Sequence, residues 1–145
     1  MRILLANPAT RTPIDKTYER FYIKAGSRWP WSTIKQKNEK NTNIFFPFYL
    51  AYAAAILRRN GHDVHVIDGV AMDMQEEEFL ERVKKITPET VIIETTTHAI
   101  NYDIMLVQKI KSMLPEMKII FTGPHVTVFP KEILGDNEAI DFVTL

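Results

Sequence analysis

Five short apolar runs recur along the chain, each closed by a polar, glycine or proline signal, with helical patterns between them. Arg2–Ala6 stops at Asn7-Pro8, and Val64–Ile67 stops at Asp68-Gly69. Thr90–Ile93 runs into Glu94 and three threonines, Lys118–Phe121 ends at Thr122-Gly123-Pro124, and Ile140–Val143 is the fifth. Arg2–Ala6 is continuously apolar rather than alternating, as expected of a buried parallel strand. Tyr49–Arg59, rich in alanine and leucine, reads as a helix ended by Asn60-Gly61. It is apolar around most of its circumference, so heavy covering is expected. Gln75–Lys85 has an apolar stripe of Phe79, Leu80 and Val83 behind an acidic start and before a basic end, matching the helix dipole. Tyr102–Leu114 is a third helix and Pro130–Leu134 a short fourth. Strand–helix alternation with short links predicts an α/β, Rossmann-like (flavodoxin-like) fold: a five-stranded parallel sheet with helices on both faces. The order 2-1-3-4-5 follows by analogy with other five-stranded sheets of this kind.

One stretch breaks the rhythm. Residues 8–46 separate the first strand from its helix, and loops this long are uncommon in compact domains unless functional or mobile. The insertion carries Tyr18, Phe21, Tyr22, Trp29, Trp31, Phe45 and Phe46 among Arg11, Lys16, Arg20, Lys24, Arg28, Lys35, Lys37 and Lys40. A disordered linker would hold fewer aromatics. One reading packs them on the domain, with a small helix through Tyr18, Phe21 and Tyr22. The other makes the insertion a lid over the strand ends, or a surface for another domain or a second copy.

A chain of 145 residues is one domain. With 18 basic and 18 acidic residues it lacks the concentrated positive field of a nucleic-acid binder. It has no cysteine, which excludes disulfides, thiolate metal sites and an iron–sulfur cluster held by its own thiolates. The first residues do not form a signal peptide, and the run from Ile44 to Leu57 is too short to span a bilayer. No membrane association and a cytoplasmic location are the expectations.

In an open parallel sheet, ligands bind beyond the carboxyl ends of the strands. Delivered there are Asn7, Pro8, Ala9, Thr10 and Arg11; Asp68 and Gly69; Thr95, Thr96, Thr97 and His98; and Thr122, Gly123, Pro124, His125, Val126 and Thr127. This rim is rich in hydroxyls and suits hydrogen bonding to amides, a ribose or a phosphate. It lacks a close carboxylate pair and a serine elbow, so no catalytic residue is assigned. His62 and His65 flank the start of the second strand, as surface or packing residues. His98 and His125 with Asp68 are a weak candidate metal site or standalone active site, without a spacing that has a mechanism behind it. The dinucleotide G-x-G-x-x-G is replaced by Asn7-Pro8-Ala9-Thr10-Arg11, and no phosphate loop is present. A receiver domain would need carboxylates where Asn7 and Thr96 stand. Gly123 lets a flat ligand or nucleotide tail approach the backbone, or is a plain turn glycine before Pro124.

Taken in order, R-I-L-L-A-N-P at 2–8, F-P-F-Y-L-A-Y-A-A-A-I-L-R-R-N-G-H-D-V-H-V-I-D at 46–68, T-T-T at 95–97, G-P-H-V-T at 123–127 and P-K-E-I-L at 130–134 resemble a known family. It is the N-terminal cobalamin-binding domain of the cobalamin-dependent radical S-adenosylmethionine enzymes, in the branch of the anaerobic magnesium-protoporphyrin monomethyl ester cyclase and many methyltransferases. The resemblance implies that residues 1–145 hold cobalamin at the sheet's carboxyl edge. A following domain, absent from this chain, would bind a 4Fe-4S cluster and S-adenosylmethionine, so the chain looks like an excised domain. It also implies base-off cobalamin with no histidine ligand from the first loop, since D-x-H-x-x-G is missing. Thr95 and Thr97 would contact the nucleotide tail, with Thr96 between them, and Gly123 would clear it beside Pro124. His125 and Val126 would lie along the corrin edge, and Asn7, Pro8 and Asp68 would line the rim. The rival expectation is a non-catalytic ligand-binding or protein-interaction module on the same fold.

Overall fold

The structure is a computed structural model and describes residues 1–24, 31–40 and 44–145. Arg28 and Trp29 of the insertion lie outside the described residues. The main sheet is built from β1 (Arg2–Asn7), β5 (Asp63–Asp68), β6 (Thr90–Glu94), β7 (Lys118–Thr122) and β8 (Phe142–Val143). All its pairings are parallel and the order is β5-β1-β6-β7-β8, which is 2-1-3-4-5 in the chain order of these five strands. The expected fold class is therefore found.

Successive side chains alternate across the sheet. Leu4, Ala6, Ile67, Val91, Ile93, Ile119 and Phe121 face α2 (Glu76–Ile86) and α3 (Ile100–Met113), and form one core with Phe79, Val83, Val107 and Ile110. The short helices α4 (Pro124–Val128) and α5 (Pro130–Asp136) add Val126 and Ile133 to that core. On the other face, Leu5 and Val64 pack with Leu50 and Ala54 of α1 (Phe48–Arg59), and Ile92 lies against them. The sequence predicts that α1 is heavily covered, and this is corrected: Tyr49 is 77% and Tyr52 66% exposed, with Phe48 and Ile56 also uncovered. The small Ala53–Ala54 side docks on the sheet, and no described element lies over the aromatic side.

The insertion is a three-stranded antiparallel sheet, β2 (Thr10–Pro13), β3 (Tyr18–Ile23) and β4 (Trp31–Gln36), in that spatial order. The expected helix through Tyr18, Phe21 and Tyr22 does not form. Their i, i+3, i+4 spacing mimics a helix face, but local turn chemistry wins. The Asp15 carboxylate accepts the backbone N–H groups of Tyr18 and Thr17, both at 2.7 Å, and this closes the β2–β3 turn. Those two bonds hold the Asp15 carboxyl below its usual range. The small sheet is fastened to the domain by buried charge. Arg11 donates to Glu19 (3.0 Å) and to Asp73 (2.7 Å), with its guanidinium over the Phe21 ring. Lys24 at the end of β3 reaches Asp103 on α3 at 2.7 Å.

At the opposite edge, β8 is short and is held by Asp141. Burial works against the Asp141 carboxylate, but Lys111 (2.8 Å), the Ile119 N–H (2.9 Å) and Lys118 (2.9 Å) outweigh it and bring it to about 2. A carboxyl lowered from 3.8 stabilises the fold fully above pH 4, and this stabilisation fades as pH falls towards 2. We expect Asp141→Asn to cost about 1–2 kcal/mol at pH 7, discounted for the exposed Lys118. Urea unfolding should show that cost shrinking between pH 4 and pH 2.

Candidate functional site

The carboxyl ends of β5, β1, β6 and β7 bring together most of the residues expected there. The Asn7 amide donates to the Asp68 carboxylate at 2.9 Å, and the Ala71 N–H donates to the same oxygen at 3.1 Å. Thr95 is buried and donates its hydroxyl to Asp103 at 2.6 Å. The Thr96 carbonyl accepts the N–H groups of Ala99 and Ile100 and so opens α3. Thr97 and His98 are exposed, and Thr97 Oγ1 lies 3.1 Å from His125 Nδ1. His125 leans on Phe129, and burial pushes its imidazole down from the usual 6.5, so it is neutral at pH 7. Pro124 occupies the first turn of α4. Val126 is fully buried in the core, turned away from the rim. Pro8 borders a cavity of about 280 Å³ that is also lined by Arg11 of β2, Phe79, Tyr102 and Leu106.

Gly123 has φ +113°, a left-handed backbone angle that L side chains rarely adopt. A Cβ placed there would stand 2.3 Å from the Thr95 carbonyl oxygen. The glycine therefore allows the end of β7 to pass against the end of β6. Its first service is to the strand ends themselves, and it shapes the rim through them.

Asp68 and His125 are not brought together. Asp68 ends β5 and His125 follows β7, with β1 and β6 between them. Three strand spacings amount to roughly 14 Å. Among the described residues no group of three His, Asp or Glu side chains is placed to hold a metal ion. His62 and His65 sit at the amino end of β5, where His65 meets Asp63 at 3.2 Å.

The sequence reading gives no role at the site to three residues of this region. Lys24 and Asp103 are 0% and 1% exposed, share Thr10 as a hydrogen-bonding neighbour, and tie the insertion to the Thr95 end of β6. They are 79 positions apart, and nothing local in the sequence links them. Glu94 is 8% exposed, and burial pushes its carboxyl up from the usual 4.5 against the pull of Lys24.

Among the described residues, three of the four buried side-chain atoms left without a partner belong to this edge: Asn7 Oδ1, Glu94 Oε2 and Thr96 Oγ1. Buried polar groups are normally bonded, so orphans gathered at one edge fit a ligand carrying hydrogen-bonding groups. Exposed Thr97 and half-buried His125 add polar atoms that a ligand can reach. A parallel sheet with this edge defines a ligand-binding doubly wound α/β domain.

The chain matches the B12 binding domain family over residues 39–145, which is most of its length, and it belongs to that family. The match takes in α1 through β8 and leaves out β1, β2, β3 and β4. An uncharacterized methyltransferase of Pyrococcus horikoshii is 38% identical over 98 residues. The aligned part is 67% of this chain and 21% of that protein, so the chain spans about a fifth of that relative's length. No solved structure matches it. Among the described residues no helix is long and apolar enough to cross a membrane.

Proposed function

We infer that this chain is the cobalamin-holding module of a radical S-adenosylmethionine enzyme that transfers methyl groups. The observation that carries the cofactor is the set of orphaned buried atoms on Asn7, Glu94 and Thr96, in a chain of the B12 binding domain family. The methyl-transfer context draws on the name of the Pyrococcus relative and on the resemblance of the rim segments. Asn7, Pro8 and Asp68 line one side of the site, and Thr95, Thr96 and Thr97 the middle. Gly123, Pro124 and His125 close the other side, with Val126 bracing them from the core. Cobalamin, when bound, supplies methyl-carrying chemistry at its cobalt. The protein's part is to orient the cofactor and keep water away. The family resemblance supports a base-off cofactor, and the loop after β1 offers no histidine that would ligate it. A cysteine-free chain leaves the 4Fe-4S cluster and S-adenosylmethionine to a separate catalytic domain, the expected partner.

The test is a titration of the folded chain with hydroxocobalamin, followed by visible absorbance and calorimetry. A saturable change to a base-off spectrum is expected, with no turnover of S-adenosylmethionine by this chain alone. Absence of binding in protein shown to be folded would sink the cofactor assignment. The other reading, a protein-interaction module, would then stand on the uncovered Phe48, Tyr49, Tyr52 and Ile56 of α1.

A further inference from the structure

Side-chain alternation and strand register place four polar residues in one row at the carboxyl edge. Leu5, Val64 and Ile92 mark the α1 side of β1, β5 and β6. The last residues on that side are Asn7 and Glu94, two positions further on, and Asp68, four positions on from Val64. Asn7 pairs with Asp68, and Glu94 pairs with Thr122 on β7. Ala6 pairs with Ile93, so Asn7 and Glu94 are side-by-side neighbours on adjacent strands. The row runs Asp68, Asn7, Glu94, Thr122.

Asp68 and Asn7 satisfy each other through the Asn7 amide N–H. Asn7 Oδ1 and Glu94 Oε2 are left over, both buried and both without a donor. Two idle acceptors on neighbouring strands cost stability, and hydrophobic residues of similar size would remove that cost. A site that breaks the rules of polar satisfaction in one place is where function is to be sought.

We propose that Asn7 and Glu94 form a carboxamide subsite, in which the N–H groups of one peripheral amide of the corrin ring are shared between Asn7 Oδ1 and Glu94. This deepens the cofactor assignment and rests on it. A primary amide carries two N–H donors on one nitrogen, which suits two adjacent acceptors. The pair is screened from water, where a hydrogen bond to a lone acceptor counts most. Burial favours the protonated Glu94 carboxyl. In that form its carbonyl oxygen still accepts, and no unpaired charge is buried.

The experiment compares this chain with Glu94→Met and Glu94→Gln, measuring thermal unfolding and hydroxocobalamin affinity on the same samples. Glu94→Met removes an idle acceptor, so its unfolding midpoint should rise by roughly 3–6 °C while its affinity falls roughly tenfold. Glu94→Gln keeps an acceptor and should bind within about threefold of the unmodified chain. A second probe is the set of cobalamin acids in which one peripheral amide is hydrolysed to a carboxylate. One of them should bind the unmodified chain at least about tenfold more weakly than cobalamin, because its carboxylate has no N–H for Asn7 Oδ1, and that difference should shrink in Glu94→Met, where half of the subsite is already gone. If the Met variant is less stable, or binds hydroxocobalamin as well as the unmodified chain does, the subsite is overturned while the cofactor assignment stands. If the unmodified chain binds no hydroxocobalamin at all, both fall together.

Discussion

Replacing Lys24 with methionine is expected to destabilise the domain by about 3 kcal/mol. The Lys24 ammonium and the Asp103 carboxylate are both out of water, 2.7 Å apart. Removing one member of such a pair leaves the other charged and unpaired, which costs roughly 3–5 kcal/mol. The lower end applies because Asp103 keeps two other donors, Thr10 at 3.2 Å and Thr95 at 2.6 Å. The complementary change, Asp103→Leu, strands a charge that can escape, since the end of β3 can lift and let Lys24 meet water. It should therefore show as loosening of the small sheet, with amide exchange rising across β2 and β3. The double variant should recover a good part of the Lys24→Met loss, because a buried pair exchanged for apolar side chains is often neutral. A double-mutant cycle in urea isolates the coupling. Additivity of the two single changes would show that the pair does not fasten the insertion. The clamp at Arg11, Glu19 and Asp73 is independent of Lys24 and keeps the small sheet attached in all three variants.

The division between what the sequence discloses and what it hides follows the range of the interactions. The main sheet is legible because its inner strands are largely covered on both faces and so read as nearly unbroken apolar runs, such as Thr90–Ile93 or Lys118–Phe121. The rim is legible for the same reason: strand ends are where the apolar runs stop, and Asn7, Asp68, Thr95 and Thr122 fall there. The insertion misleads because aromatic spacing in Tyr18–Tyr22 satisfies a helix template over too short a window, while the deciding contact is the Asp15 turn just before it. Covering of α1 misleads differently. Its composition allows burial all round, but burial needs a neighbour, and the described structure supplies one only on the Leu50 and Ala54 side. Glu94 is visible in the sequence as a polar residue ending a strand. Only the register, which sets it beside Asn7, turns it into half of an acceptor pair.

Gly123 carries the second large prediction, and it connects the fold to the proposed cofactor. Valine at this position meets two separate obstacles. Its backbone would have to hold φ near +113°, a strain of about 1–3 kcal/mol. Its Cβ would lie 2.3 Å from the Thr95 carbonyl oxygen, which belongs to the backbone and cannot rotate away as a side chain can. Overpacking of this kind costs a further 1–3 kcal/mol or so, giving a loss of roughly 3–5 kcal/mol in urea unfolding. Relief can come only by moving the ends of β6 and β7 apart, and Thr95 donates to Asp103, so the displacement would reach the anchor of the insertion as well. Hydroxocobalamin affinity should therefore fall by more than about tenfold in the fraction that stays folded. Gly123→Ala separates the two obstacles from bulk, because its single methyl meets the same carbonyl and the same φ. An alanine variant almost as impaired as the valine variant is expected. An alanine variant that folds and binds like the unmodified chain would mean that β6 and β7 part easily at this edge, and that side-chain size alone governs Gly123.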